Sequence, residues 1–191
     1  MADFAIRRGQ CALLIYDTTR ELVDSTSPGY APEIAARMPL LRQLIDACHR
    51  SEVPVFYALP QSTVDKHGAE TAADALCDEI KPRSKDTVIV RKQSGALAES
   101  PLEGLLRQQG RTTLLIAGMA VDRGCNTAAR DAQKLGLKPV LVEDVCFTRD
   151  ISDSRFGFIS KEDIHKVHLA SLERAFAKIA SVKELTELFN P

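Results

Sequence analysis

Apolar residues along this chain follow two alternating rhythms. The first is a set of short unbroken runs: Cys11–Tyr16 (CALLIY), Val53–Ala58 (VPVFYA), Thr87–Val90 (TVIV), Thr112–Ala117 (TTLLIA) and Pro139–Val142 (PVLV). A run without polar alternation predicts a strand covered on both faces. The second rhythm has the period of a helix. Ile34, Met38, Leu41, Leu44, Ile45 and Cys48 recur at three- and four-residue spacings and predict a helix over Pro32–Arg50. A short helix is predicted over Thr71–Ile80, ended by Pro82. Ser100-Pro101-Leu102-Glu103 opens another helix, with Ser as N-cap, Pro at the first helical position and Glu completing a capping box, and Gly110 ends it. Further helices are predicted over Asn126–Leu135, closed by Gly136, over Asp163–Phe176 and over Ser181–Phe189, with a last short strand at Ala177–Ala180. Six strands alternating with helices imply an α/β fold, a Rossmann-like three-layer α/β/α sandwich around a six-stranded parallel sheet. No repeat, linker or low-complexity segment interrupts the pattern, so residues 1–191 read as a single domain.

Composition removes several function classes. Lys+Arg 25 against Asp+Glu 26 gives a net charge of −1, without the basic excess of a nucleic-acid binder. The apolar runs are too short to cross a membrane. Met1–Gln10 carries Asp3, Arg7 and Arg8 and no apolar stretch, so no secretory leader is expected. The five cysteines, Cys11, Cys48, Cys77, Cys125 and Cys146, are odd in number, scattered and free of C-x-x-C spacing. They suggest a reducing, cytoplasmic setting rather than a disulfide framework.

In parallel sheets of this kind ligands sit outside the carboxyl ends of the strands, where the winding reverses. Residues just after the apolar runs are therefore the candidates. Asp17 follows CALLIY directly, where burial would raise the pKa of a carboxylate and suit it to acid–base work. The alternative is that it merely caps nearby backbone N–H groups. Arg91 and Lys92 follow TVIV and could hold Asp17 ionised or bind an anion; as a pair they could equally be a solvated strand end. Gly118–Thr127 is a small-residue turn running into a helix start, able to present backbone N–H groups to negative charge. Cys125 at that helix start could be an activated thiol, or a small buried residue packing the helix onto the sheet. Glu143 and Asp144 are expected to line or buttress the site and Asp131 to orient the loop. His165 and His168 are three apart on one helix and are read as a surface pair, while His49 and His67 stand alone. No metal and no cofactor are called for.

Jointly these segments resemble the isochorismatase-like hydrolase superfamily over nearly the whole chain. The resemblance rests on ALLIYD ending in Asp17, on D-T-V-I-V followed by a basic residue, on the S-P-L-E helix start, on L-L-I-A-G with its loop, on T-A-A-R-D-A ending at Ala132, and on PVLVEDVCFTRD. One branch of that superfamily uses Asp, Lys and a nucleophilic Cys on amides. The isochorismatase branch has Gly in place of that Cys. Anchored on Gly118 and on Asp131-Ala132, the nucleophile position falls on Gly124, with Cys125 one residue beyond. One residue rotates a helical side chain by about 100°, so Cys125 should point away from Asp17. The absence of D-x-H after VPVFYA also sets this chain apart from the nicotinamidases.

The resemblance implies that protonated Asp17 delivers a proton to the enol-ether carbon of a small anionic substrate, after which water adds and pyruvate leaves. It implies a catalytic group of Asp17, Arg91, Lys92 and Gly124, and a non-proline cis peptide at Met119–Ala120. Substrate-contacting positions fall by register on Thr19, Pro60, Gln61, Met119, Ala120 and Cys125. At several of these the family residue is absent: Thr19 replaces a Gln, Pro60 with Gln61 beside it replaces another, Ala120 replaces an aromatic, and Arg91 falls on the family Lys. Arginine can steady Asp17 or bind a carboxylate but cannot shuttle a proton. A homodimer or larger homo-oligomer is also implied. Two other functions fit less well: an amide or N-carbamoyl hydrolase using Cys125, and a non-catalytic relative that kept the fold.

Overall fold

The computed structural model describes residues 4–62, 75–91, 97 and 100–190. Its centre is strand β1 (Cys11–Tyr16), every residue of which is buried. On one side β1 pairs in parallel with β2 (Val55–Pro60), and β2 with β3 (Thr87–Arg91). On the other it pairs with β4 (Thr113–Met119), which carries β5 (Lys138–Phe147) and then β8 (Lys178–Ala180). The result is a six-stranded parallel sheet in the order β3-β2-β1-β4-β5-β8. The winding reverses between β1 and β4, which opens the crevice where a ligand is expected in this topology.

Period-two alternation splits the core into two layers. Cys11, Leu13 and Ile15 face the layer shared with α2 (Met38–Arg50) and α6 (Val182–Phe189). Ala12, Leu14 and Tyr16 face the opposite layer, built with α3 (Leu102–Gln108), α4 (Gly124–Lys134) and α5 (Lys161–Ala175). Tyr16 is thereby sent toward the start of α4, with consequences for the site.

Four local expectations change. The helix expected over Pro32–Arg50 is divided into α1 (Pro32–Ala35) and α2, because Pro39 sits in the first turn of α2 and has no N–H to continue the earlier helix. Of the helix expected over Thr71–Ile80, residues 71–74 lie outside the described residues, and the rest holds only a three-residue turn at Asp78–Ile80. At the start of α3 the Ser100 hydroxyl accepts from the Leu102 N–H at 3.2 Å, but Glu103 turns to Arg107 one turn on. The hairpin β6–β7 (Ile151–Asp153 and Gly157–Ile159) has no counterpart in the expected elements and leaves Phe156 and Phe158 exposed.

Strand β5 runs beyond its expected end. Leu141 faces Ile116 and Cys146 faces Gly118, so β5 bulges between them and carries Glu143 and Asp144 out of the ladder. Glu143 points to solvent and its carbonyl meets His165. The Asp144 carboxylate accepts the Val182 N–H at 3.0 and 3.1 Å, holding the start of α6. Neither residue lines the cleft, contrary to expectation; Asp144 buttresses a helix on the far side of the sheet. No helix of the described residues is long and apolar enough to cross a membrane.

Candidate active site

Asp17 leaves β1 in the left-handed region, with φ +44°, and its N–H donates to the Ala58 carbonyl of β2 at 3.0 Å. Asp tolerates that conformation better than most residues. The turn directs the carboxyl across the sheet end rather than along it. Arg91 closes β3 opposite Pro60 and reaches across the end of β2 to donate through Nη2 to Asp17 Oδ2. The pair is unequally sheltered: the Arg91 side chain is 8% exposed and that of Asp17 27%. Asp17 Oδ1 is buried with no hydrogen-bond partner among the described residues.

The other wall comes from β4 and the loop after it. Gly118 adopts φ +105°, where a Cβ would collide with the Tyr16 carbonyl oxygen, so only glycine fits. The Met119–Ala120 peptide is cis. Asp122 accepts from the Thr148 hydroxyl at 2.7 Å, which fixes the loop to the end of β5. Arg123 precedes α4 with its side chain 72% exposed and its Nε 3.6 Å from Asp122. Between these walls lies a cleft of about 530 Å³ lined by Asp17, Arg91, Tyr16, Gly124 and the loop residues from Met119 to Arg123 that face it.

Two opposing influences set the protonation of Asp17. Burial pushes its pKa up from the ordinary carboxyl value, while the charges of Arg91 and then Arg123 pull it down, and burial wins. An acid with its proton retained at higher pH is the arrangement a proton donor requires.

The two residues that open α4, Gly124 and Cys125, are placed differently. Gly124 opens α4, and a Cβ there would overlap Cδ1, Cε1 and Cζ of the Tyr16 ring. Cys125 is fully buried in the layer between sheet and α4, its Sγ 3.5 Å from the Gly118 carbonyl oxygen. The neighbouring Cys146 thiol, followed by burial, holds the Cys125 thiol well above the usual range. Cys125 therefore does not contact the cleft, and its assignment as a substrate-contacting residue is corrected.

The remaining candidates divide. Met119 and Ala120 line the cleft with Asp17, Arg91 and Gly124. Thr19, Pro60 and Gln61 are not among the described lining residues: Thr19 is buried in a bridge with Leu76, Pro60 is spent pairing β2 with β3, and Gln61 is exposed beyond it. Lys92 and His67 lie outside the described residues. Asp131 pairs with Lys134 at 3.5 Å instead of holding the loop. His165 meets the Glu143 carbonyl, His168 meets Asn126 at 3.0 Å, and His49 meets Asp86 at 2.8 Å. Among the described residues no group of three or more His, Cys, Asp and Glu could hold a metal.

The stretch Gly118–Thr127, picked out as a whole, supplies Asp122, Arg123 and Thr127 to the lining, while sequence reasoning missed Tyr16. Tyr16 was hidden inside an all-apolar run, where nothing marks which face each residue takes.

Comparison with known proteins agrees with this architecture. The isochorismatase domain model matches residues 11–184. Enterobactin synthase component B of Escherichia coli K12 is 30% identical over 163 residues, covering 78% of this chain; the chain spans only 57% of that relative's length. In fold, the chain is similar to a cysteine hydrolase from Pseudomonas syringae pv. phaseolicola 1448A, with TM-score 0.88 and 19% identity over 98% of this chain and 95% of that one. It is also similar to an isochorismatase from Pseudomonas putida KT2440, with TM-score 0.84 and 23% identity over 95% and 93% of the two chains. A parallel sheet with its cleft at the β1/β4 switch, and a family match over most of its length, place the chain in one group: it belongs to the isochorismatase family of hydrolases.

Proposed function

We propose that this hydrolase cleaves an enol ether on a small carboxylate-bearing metabolite of the isochorismate type, with Asp17 as the general acid. The observation that carries the reading is the cleft's reactive inventory. It presents a half-sheltered carboxyl, while the position next to it has room only for glycine and the nearest thiol faces the core. Among the described residues the cleft is open rather than filled by side chains, which favours catalysis over a role as a non-catalytic relative.

The steps follow from the groups present. Asp17 transfers its proton to the terminal methylene carbon of the enolpyruvyl group, whose π electrons form the new C–H bond. The ether oxygen shares the positive charge left on the adjacent carbon. Water adds there and gives a proton back to the Asp17 carboxylate. The hemiketal then collapses to pyruvate and an alcohol. A positioned acid contributes typically about 10²–10⁴-fold to such a step. With Asp17 protonated, Arg91 and Arg123 outweigh Asp122 among the described lining residues, and a substrate carboxylate neutralises the surplus. Arg123, exposed at the mouth and only 3.6 Å from its acidic neighbour, is the group that receives it.

The test is release of pyruvate, coupled to lactate dehydrogenase, from isochorismate and from a panel of simpler enolpyruvyl ethers. Turnover that disappears in Asp17→Asn supports the reading. No release from any of them, or release that survives Asp17→Asn, overturns it.

A further inference from the structure

The Tyr16 ring touches two features of the site that otherwise look independent. It is fully buried on the α4 side of the sheet, packed in the layer that includes Leu102, Val121 and Cys125. A methyl group on residue 124 would overlap three atoms of the ring itself, which is a rigid body and not the end of a flexible chain. The Arg91 guanidinium lies 4.4 Å from the ring centroid, and the same guanidinium donates to Asp17. A guanidinium is planar, so it can stack by its face while donating from its edge; an ammonium has no face to stack. Arg91 can therefore lie against the Tyr16 ring while it donates to Asp17.

We propose that Tyr16 is a positioning residue: its ring holds Arg91 in the orientation that meets Asp17 and fills the volume that a side chain at position 124 would need. One ring thereby commits the cleft to chemistry on a carboxyl and closes it to a thiol. The proposal rests on the reading of Asp17 as the acid. The charged groups that share the cleft with that carboxyl among the described residues are Arg91 from β3 and Asp122 and Arg123 from the loop before α4.

Three measurements test it. In turnover, Tyr16→Leu should lower kcat about tenfold or more with KM changed by less than about threefold, and Tyr16→Phe, which keeps the ring, should recover most of that loss. In titration of the Asp17 carboxyl by carbon-13 NMR, Tyr16→Leu should move the midpoint upward, because Arg91 no longer holds the ionised form. In thermal unfolding, Gly124→Ala should lower the midpoint markedly in the wild-type background and at most half as much in Tyr16→Leu, the signature of two residues competing for one volume. Equal losses from Gly124→Ala in both backgrounds, an unmoved Asp17 titration, or a Tyr16→Phe variant as slow as Tyr16→Leu would overturn the proposal. The unfolding cycle and the titration use no substrate. A wild-type protein that releases no pyruvate thus defeats the assigned reaction while leaving these two measurements to decide the role of Tyr16.

Discussion

Asp17, after β1, and Asp144, in the bulge of β5, are both acids that follow an apolar run of the parallel sheet, and they are used in opposite ways. Asp144 points both carboxylate oxygens at the N–H of Val182, on a helix that is also closed by the Ser181 hydroxyl and the Glu184 carboxylate. Its hydrogen-bonding capacity goes into holding α6, where a negative charge suits the helix dipole. Asp17 gives one oxygen to Arg91 and leaves the other buried without a partner among the described residues. A buried polar atom left unsatisfied costs on the order of 1–3 kcal/mol. The difference teaches how to separate two acids that look alike in a sequence: the one whose bonds are complete is structural, and the one kept short of a bond is available for chemistry.

The contrast can be broken by substitution. The largest effect is expected from Asp17→Asn, which keeps the shape and removes the proton donor. Pyruvate release should fall by about 10²–10⁴-fold with the circular dichroism spectrum unchanged. Next is Arg123→Gln, which should raise KM for a carboxylate substrate about tenfold and flatten its dependence on salt, since an exposed arginine contributes mainly through screened attraction. Asp144→Ala should leave kcat and KM within about twofold but lower stability to urea by about 1–2 kcal/mol, the usual scale for losing a helix cap. A loss of activity in that variant matching Asp17→Asn would erase the distinction between the two acids.

The smallest effect sharpens the comparison through pH. The folded pKa of Asp17 is raised from an ordinary 3.8, chiefly by burial, so the fold prefers the protonated acid more than the unfolded chain does. Its contribution to stability is full below 3.8 and is lost as pH climbs through the raised folded value. Urea midpoints measured against pH should therefore show wild type losing ground to Asp17→Asn over that interval and no further above it. The same titration sets the alkaline limb of kcat/KM, which falls as the acid gives up its proton.

Much of this was legible in the chain, and the failures have physical causes. β1 and β4 announced themselves because burial on both faces leaves their runs almost wholly apolar, with Thr113 the one polar residue of β4. The same property concealed the cleft: within CALLIY no polar residue marks a face, so the role of Tyr16 waits on the pairing register. The hairpin Ile151–Ile159 escaped notice because it lies away from the core, and its alternation answers to no buried layer. Glu143 and Asp144 looked like rim residues because they follow an apolar run, and only the bulge against Ile116 and Gly118 shows that the strand continues past them. Asp17 was picked out because it directly follows the apolar run of β1, whereas the attention to Gly124 over Cys125 came from the family resemblance and not from spacing alone.

The burial of Tyr16 has an optical consequence. The chain holds no tryptophan and three tyrosines, so Tyr16, Tyr30 and Tyr57 account for its aromatic absorption near 280 nm and its ultraviolet emission. Tyr30 is partly in solvent, while Tyr57 packs on the opposite face of the sheet from Tyr16. One of three chromophores thus sits against the guanidinium at the cleft wall, and an occupant that disturbs that contact perturbs about a third of the signal without any label being attached.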